Sequence, residues 1–192
     1  YRQFWQIGVE AFGAKEAAQD VEVMDLFVQI LQAVGLPDVR LHINSLGDDT
    51  CRPKYQQSLV EFFSARQGEL CEDCQRRAKT NPLRIYDCKV EADQPIIDRL
   101  PHSIDYLCEP CSTHFRGVKA QLDAWGIPWR ISHRLVRGLD YYTRTTFEIL
   151  GEALGAQNAL LGGGRYDGLV KDLGGPDRPG IGFAAGLERL VL

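Results

Sequence analysis

Two polar residues near the start of the chain could hold the opposite ends of one small ligand. Gln6 and Glu10, with Gly8 between them, alternate with apolar residues, a spacing that predicts a strand with these three residues on one face. The α-carbons of Gln6 and Glu10 would then lie about 13 Å apart. A glycine inside a strand often marks the close approach of a ligand or another backbone. The alternative is a strand face turned to solvent, which the pattern alone favours.

An arginine and a tyrosine in the run RGLDYY could serve the same site. Arg137 offers paired hydrogen bonds to a phosphate or a carboxylate and stays charged at any working pH. Arg137 and Tyr142 have opposite parity on a regular strand, so we expect a bulge or bend near Gly138 to re-aim one of them. The alternative is an arginine that simply pairs with Asp140.

Two glycine-rich segments follow, and neither is a known nucleotide fingerprint. The run GGGRYDG at 162–168 lacks the Gly-Lys-Ser/Thr of a phosphate-binding loop and a βαβ setting, but its three glycines would let a flat ligand or another chain lie against the backbone. The run GFAAGLER at 182–189 leads small residues into a helix that carries Glu188 and Arg189, so a nucleotide could pack on the sheet while Arg189 meets a phosphate. The alternatives are a plain turn for the first run and a tight strand–helix junction with a surface ion pair for the second.

Five of the six cysteines fall between positions 71 and 111 and include two C-x-x-C pairs. Two such pairs suit a tetrahedral zinc site with four thiolates, so we predict a structural site made by Cys71, Cys74, Cys108 and Cys111. The separation between the pairs is longer than in a usual zinc ribbon, and Cys88 and His114 are spare candidates. Buried thiols are the alternative.

The apolar periodicity predicts an α+β fold, with a mostly antiparallel sheet, flanking helices and a small inserted helical module. A helix through Met24 and Leu31 should end at Gly35, and a second should run from about Ser112 to Trp125. Strands return after Trp129. We therefore divide the chain into a catalytic core at 1–47 and 131–192 and an insertion at 48–130.

The composition is that of a soluble protein. The formal net charge is −4 over 192 residues, no apolar run approaches the roughly 20 residues of a membrane span, and the N-terminus has no signal-peptide layout. We expect a cytoplasmic protein with no membrane partner.

Taken together, the segments resemble the histidyl-tRNA synthetases, a family of class II aminoacyl-tRNA synthetases. The resemblance covers essentially the whole chain and depends on several motifs in a fixed order. YRQFWQIGVEAFG resembles the second half of motif 2, LHINSLGD the strand after it, LVRGLDYYTRTTFE the histidyl signature peptide, and GIGFAAGLERLVL motif 3. GGGRYDGLV resembles the glycine strand of the family, and NPLRIYDCK is recognisable inside the insertion.

The resemblance implies ATP-dependent activation of histidine and its transfer to the 3′ end of tRNA(His), with Mg²⁺ on the ATP and a homodimeric enzyme. It implies a catalytic role for Arg137, which would contact the histidine carboxylate and the α-phosphate, and an ATP contact for Arg189. It further implies a histidine pocket in which Gln6 holds the α-amino end and Glu10 and Tyr142 read the imidazole. Tyr141 and Tyr166 would line that pocket.

The resemblance begins within motif 2 and ends at motif 3, so we expect a fragment of a longer enzyme that is weakly active or inactive by itself. Two other hypotheses stay open. One is a non-catalytic regulator that senses histidine or binds RNA on a synthetase scaffold. The other is a zinc-dependent RNA-binding module centred on the insertion, against which its modest charge argues.

Overall fold

The computed structural model describes residues 3–36, 39–66, 68–136, 141–151 and 159–191. Its strands are β1 (Gln6–Phe12), β2 (Val39–Ser45), β3 (Trp129–Ile131), β4 (Thr143–Gly151), β5 (Ala159–Arg165) and β6 (Gly180–Gly186). Its helices are α1 (Ala17–Ala33), α2 (Arg52–Ser64), α3 (Glu72–Thr80), α4 (Gln94–Ile97), α5 (Glu109–Ala124), α6 (Leu169–Asp172) and α7 (Leu187–Val191). Short 3-10 turns lie at Pro82–Asp87, Glu91–Asp93 and Ser103–Tyr106. Within these ranges, no helix combines the length and apolar character needed to cross a bilayer.

The six strands form one sheet in the order β1-β6-β5-β4-β2-β3. Every neighbouring pair is antiparallel except β2 and β3, which run parallel. Their connection passes through the whole insertion, in keeping with the long crossover that parallel neighbours need. The predicted α+β class with a mostly antiparallel sheet is confirmed.

Helices α1 and α5 cover one face of the sheet and form the main core. Apolar residues at helical spacing on α1, among them Met24, Phe27 and Leu31, are fully buried. Phe27 meets Phe183 of β6 edge to face, with ring centroids 4.8 Å apart. Burying a side chain of this size stabilises the fold by about 1.5–3 kcal/mol, so each of these residues helps to hold α1 against the sheet.

The helix boundaries follow the local sequence. Helix α1 ends at Ala33, and Gly35 adopts a φ of +85°, a conformation that favours glycine; the predicted stop is confirmed. Helix α5 begins at Glu109, earlier than the predicted Ser112, because Pro110 fits the first turn of a helix, where no N–H partner is needed.

The insertion has a second, smaller core. Helix α2 buries Tyr55, Leu59 and Phe63 against the turn that carries Ile85 and Tyr86. The hydroxyl groups of Tyr55 and Tyr86 lie 3.1 Å apart and share a hydrogen bond. Helix α5, which the sequence-based division assigns to the insertion, packs instead with the sheet core. The division at residues 48 and 130 stays a prediction.

Candidate active site

A band of small residues crosses adjacent strands on the sheet face opposite α1 and α5. In one row Gly8 of β1 lies beside Ala184 of β6, which lies beside Gly162 of β5. In the next row Glu10 lies beside Gly182, which lies beside Gly164. Since Phe183, Leu161 and Phe147 belong to the helix-covered core, strand alternation turns these rows to the other face. The row of Gly8, Ala184 and Gly162 therefore offers a shallow surface with almost no side chains, next to the carboxylate of Glu10.

Glu10 is held by a phenol from a neighbouring segment. The hydroxyl of Tyr166, directly after β5, donates to Oε2 of Glu10. Burial, followed by the hydrogen bond and the charge of Glu10, raises the pKa of Tyr166 above its ordinary value of 10. Tyr166 therefore stays a neutral donor. A carboxylate can accept several hydrogen bonds, so Glu10 keeps the capacity to accept from a ligand N–H.

Three tyrosines and Glu10 line one cavity of about 360 Å³, a size that suits a small metabolite. The rings of Tyr141 and Tyr142 lie 4.7 Å apart, and Tyr141 meets Tyr166 edge to face at 6.0 Å. The remaining lining is mostly apolar and includes Phe12 and Leu173. The structure thus brings four of the predicted histidine-pocket residues together.

Glycines make room for these side chains. A Cβ at Gly182 would lie 1.8 Å from Oε2 of Glu10, one at Gly180 would lie 2.3 Å from the ring of Tyr166, and one at Gly164 would lie 2.8 Å from the ring of Tyr142. Gly163 is different, because its Cβ would strike the backbone of Gly182 and the core side chain of Phe147. Several glycines of the two glycine-rich segments are therefore needed by the pocket and by the sheet itself.

The other predicted site residues lie elsewhere or outside the described residues. Gln6 is exposed on the same strand face as Glu10, opposite Gly186, and does not line the cavity. Arg189 lies in α7, donates to the carbonyl of Ala159 and lines a separate cavity of about 480 Å³ together with Lys89. Arg137, and the bulge predicted near Gly138, fall outside the described residues.

The structure does show an irregularity later in β4. The pairing of β4 with β5 shifts between Thr143 and Thr146. Arg144, within that shift, has a φ of 51° and donates its backbone N–H to the carbonyl of Gly47 at 2.7 Å. The chain just after the tyrosine pair is thus bent and anchored to the end of β2. Such bends commonly re-aim side chains beside a binding site.

A buried charge network beneath the site was not foreseen. Arg165 and Asp20 are both fully buried; Arg165 Nε donates to Asp20 Oδ1 at 3.0 Å, and His114 Nε2 lies 2.7 Å from Asp20 Oδ2. Arg165 Nη1 also donates to Asp167 at 2.9 Å. Strand alternation could have indicated this network. Arg165 lies two residues after Gly163 and so faces the core as Gly163 does, and a charge on that face needs a buried partner. His114, a spare metal ligand in the sequence analysis, belongs to this network.

The structure does not bring the two C-x-x-C pairs together. Cys108 and Cys111 lie with Asp48 and Cys51, and we call this group the junction cluster. Cys71 and Cys74 lie with Cys88 and Asp93, and we call this group the insertion cluster. The predicted four-cysteine site is therefore corrected to two separate groups, because each pair starts a different helix and meets a different third cysteine.

The comparison with known proteins agrees with the motifs. The family model for histidyl-tRNA synthetase matches residues 1–190. The histidine–tRNA ligase of Solibacter usitatus is 57% identical over 193 residues, which cover 100% of this chain and 47% of that protein. That of Koribacter versatilis is 52% identical over 197 residues, covering 100% of this chain and 45% of the relative. The chain spans about half the length of these curated relatives.

Solved structures give the same picture. The apo histidyl-tRNA synthetase of S. aureus superposes with a TM-score of 0.78 at 42% identity, covering 100% of this chain and 47% of that one. A Bacillus halodurans chain described as an ATP phosphoribosyltransferase regulatory subunit/histidyl-tRNA synthetase reaches a TM-score of 0.64 at 22% identity, covering 98% of this chain and 52% of that one, and shares the fold alone.

Proposed function

The chain belongs to the histidyl-tRNA synthetase family, and from that premise we propose that it supplies the histidine-activating site of a histidine–tRNA ligase. The observation that carries the proposal is the cavity in which Glu10 and three tyrosines converge. A regulator that only senses histidine is less supported, because the relatives at 52–57% identity are named as ligases.

The cavity has the chemistry needed to recognise an imidazole. A neutral imidazole carries one N–H donor and one ring-nitrogen acceptor. We propose that the imidazole N–H donates to the carboxylate of Glu10, whose position Tyr166 fixes. The other ring nitrogen would accept from the hydroxyl of Tyr142. Tyr141 completes the aromatic wall. An apolar amino acid offers neither a donor for Glu10 nor an acceptor for Tyr142. Its binding would leave both protein groups unpaired, so such a site rejects apolar amino acids strongly.

The α-amino end of the substrate would extend along β1 towards Gln6, which shares the strand face of Glu10. The bound amino acid would then lie beside the rows of glycine and alanine on β6 and β5. A nucleotide base and sugar could lie flat on the row of Gly8, Ala184 and Gly162, because almost no side chain rises from it. This arrangement would bring the amino-acid carboxylate next to the α-phosphate of ATP.

In the proposed reaction, a carboxylate oxygen of histidine attacks the α-phosphorus of ATP, and the bond from that phosphorus to the pyrophosphate oxygen breaks. Arg137 would stabilise the charge that develops on the phosphoryl oxygens. Arg189 would bind the far phosphates, and the cavity that it lines also contains Lys89 and Arg134. In the second step a terminal hydroxyl of tRNA(His) attacks the activated carbonyl carbon and AMP leaves.

Mg²⁺ would neutralise the triphosphate. In the described part of the chain, the only groups of three or more potential metal ligands are the two cysteine clusters, and thiolates are not the ligands that Mg²⁺ prefers. The residues fit a Mg²⁺ ion held chiefly by the phosphates and water. We place the enzyme in the cytoplasm as a homodimer that binds histidine, ATP and tRNA(His).

Histidine-dependent exchange of pyrophosphate into ATP tests the proposal. We expect the protein at its natural length to support exchange with histidine and with no other amino acid. Arg137→Ala should reduce exchange by orders of magnitude, whereas Arg178→Ala, at an exposed position, should not. Absence of exchange from a folded protein that binds both histidine and ATP would contradict the ligase proposal and favour a sensor.

A further inference from the structure

Each cysteine cluster combines three thiols and one carboxylate. The junction cluster takes Asp48 and Cys51 from the segment after β2 and Cys108 and Cys111 from the start of α5. The insertion cluster takes Cys71 and Cys74 from the start of α3, Cys88 from the end of a 3-10 turn, and Asp93. In both clusters the C-x-x-C pair begins a helix, the first cysteine being the N-cap residue. The same ligand set thus arises twice from unrelated segments.

The distances within the clusters are those of ligands around a tetrahedral ion. With zinc–sulfur bonds of about 2.3 Å and zinc–oxygen bonds of about 2.1 Å, two sulfurs lie about 3.8 Å apart and a sulfur and an oxygen about 3.6 Å apart. In the insertion cluster Cys71 Sγ lies 4.0 Å from Cys88 Sγ, and Cys88 Sγ lies 3.3 Å from Asp93 Oδ2. In the junction cluster, Asp48 Oδ1 lies 3.5 Å from Cys51 Sγ and 3.7 Å from Cys108 Sγ. Within each cluster all four ligand atoms lie within 4.8 Å of one another.

The buried carboxylate of Asp93 accepts a hydrogen bond from the backbone N–H of Cys71 at 3.1 Å, but that donor carries no full positive charge. Asp93 is 1% exposed, and no lysine, arginine or histidine of the described residues forms an ion pair with it. Asp20, the other fully buried aspartate, has Arg165 and His114. Removing a carboxylate from water without a positive partner is costly. A metal ion among the three thiols would supply the missing charge.

Disulfides explain the clusters less well. A disulfide brings two sulfurs to about 2.05 Å, about half the separation of Cys71 and Cys88, and it uses no carboxylate. It also leaves one cysteine of each group of three unpaired. Buried inert thiols would not require an acidic oxygen in the same position in both clusters.

We propose that each cluster binds one structural Zn²⁺ through three thiolates and one aspartate oxygen. The ion in the junction cluster would tie the segment after β2 to α5, and so fix the insertion to the sheet where the chain leaves and returns. The ion in the insertion cluster would cross-link α3 to the turns that follow it. A module with a small apolar core commonly needs such a cross-link.

Metal analysis of the protein at its natural length, purified without chelators, tests the proposal. We expect two zinc ions per chain, measured by inductively coupled plasma mass spectrometry and by colorimetric release after thiol blocking. Cys74→Ser and Cys111→Ser should each leave one zinc per chain. All six cysteines belong to a cluster, so the matched controls are aspartates outside the clusters. Asp87→Asn and Asp49→Asn should keep both ions. Asp93→Asn should weaken zinc binding by the insertion cluster, and Asp48→Asn should weaken zinc binding by the junction cluster.

A second readout covers variants that fail to fold. Co²⁺ exchanged into the unaltered protein should give the visible d–d bands and thiolate charge-transfer bands of a tetrahedral sulfur-rich site. Asp48→Cys should fold, keep two zinc ions and release the junction ion more slowly to a chelator. A folded protein with no stoichiometric zinc, even after incubation with zinc under reducing conditions, would overturn the proposal. Iron in place of zinc, or a disulfide in the protein as isolated, would also overturn it.

Discussion

Tyr166 and Glu10 act as a pair, and the phenol gives the carboxylate its position. The ring of Tyr166 packs against Gly180, Tyr141 and Phe12, so its hydroxyl is held where Glu10 can accept from it. Burial and the neighbouring carboxylate keep the hydroxyl protonated. In the proposed pocket an imidazole would therefore meet a carboxylate whose direction is fixed.

Tyr166→Phe keeps the ring and removes only the hydroxyl. A hydrogen bond to a charged group contributes about 1.5–3 kcal/mol, so we expect kcat/KM for histidine to fall roughly ten- to a hundred-fold, mainly through KM. Steady-state pyrophosphate exchange measures this. Tyr106→Phe, in the insertion, is the control and should change little. An unchanged KM in Tyr166→Phe would mean that Glu10 holds its position without the phenol.

The Asp20 network predicts a pH-dependent loss of stability. Burial by itself would raise the pKa of Asp20, but hydrogen bonds from His114 and Arg165 and the charge of Arg165 hold it below its ordinary value of 3.8. The stabilisation that follows from a lowered pKa is fully present above pH 3.8. It is lost as the pH falls through the folded-state value.

Asp20→Asn should cost about 3–5 kcal/mol at neutral pH, because it leaves Arg165 buried without its partner. Urea unfolding at pH 7 and at lower pH measures the difference from the unaltered protein, which should shrink as the pH falls below 3.8. Asp25→Asn on the same helix is the control. A difference that is small at pH 7, or that grows on acidification, would contradict the assignment.

At the scale of elements, the strands could be predicted from alternation, but the reason for the glycines could not. The pattern of Gln6, Gly8 and Glu10 gave the correct strand and the correct shared face. The three glycines of β5 suggested an open ligand surface, yet Gly163 faces the core and Gly164 receives the ring of Tyr142. These roles depend on which strands are neighbours, and neighbours are not visible in a single sequence.

Gly182→Ala tests the role of β6 in positioning the carboxylate. The added methyl would overlap Oε2 of Glu10 and the carbonyl of Val9, so either Glu10 or the strand must move. We expect histidine-dependent exchange to fall at least ten-fold, roughly the cost of losing one good hydrogen bond to a charged group. Gly168→Ala is the matched control, since its methyl would meet only Asp172 at 3.7 Å. Equal activity of the two variants would contradict the account.

In the whole molecule, the β1 edge of the sheet has the features of an interface with a second chain. β1 is the terminal strand and, among the described residues, pairs only with β6. Phe4 and Trp5 precede β1 and Phe12 ends it, and each of these side chains is at least 59% exposed. Exposed apolar patches and unpaired edges commonly mark an interface.

Sedimentation equilibrium of the protein at its natural length should give twice the mass of one chain. A monomer at micromolar concentration would contradict the proposed homodimer.

The insertion at 48–130 stays a prediction, although part of it has an apolar core of its own. The cysteine arrangement could not be anticipated from the sequence. The two C-x-x-C pairs suggested one site because spacing was the only guide. The chain separates them, since α3 and α5 begin in different parts of the fold and each pair lies beside an aspartate that the C-x-x-C spacing does not indicate.

Calorimetric titration of histidine into Glu10→Gln tests most directly whether Glu10 recognises the imidazole. The amide matches the carboxylate in shape but lacks its charge and keeps only one acceptor oxygen. We predict that the Kd for histidine rises at least ten-fold, in keeping with the loss of a charged hydrogen bond, while ATP binding stays unchanged. Glu22→Gln, on the exposed side of α1, should bind as the unaltered protein does. Histidine binding by Glu10→Gln at unaltered affinity would contradict the account.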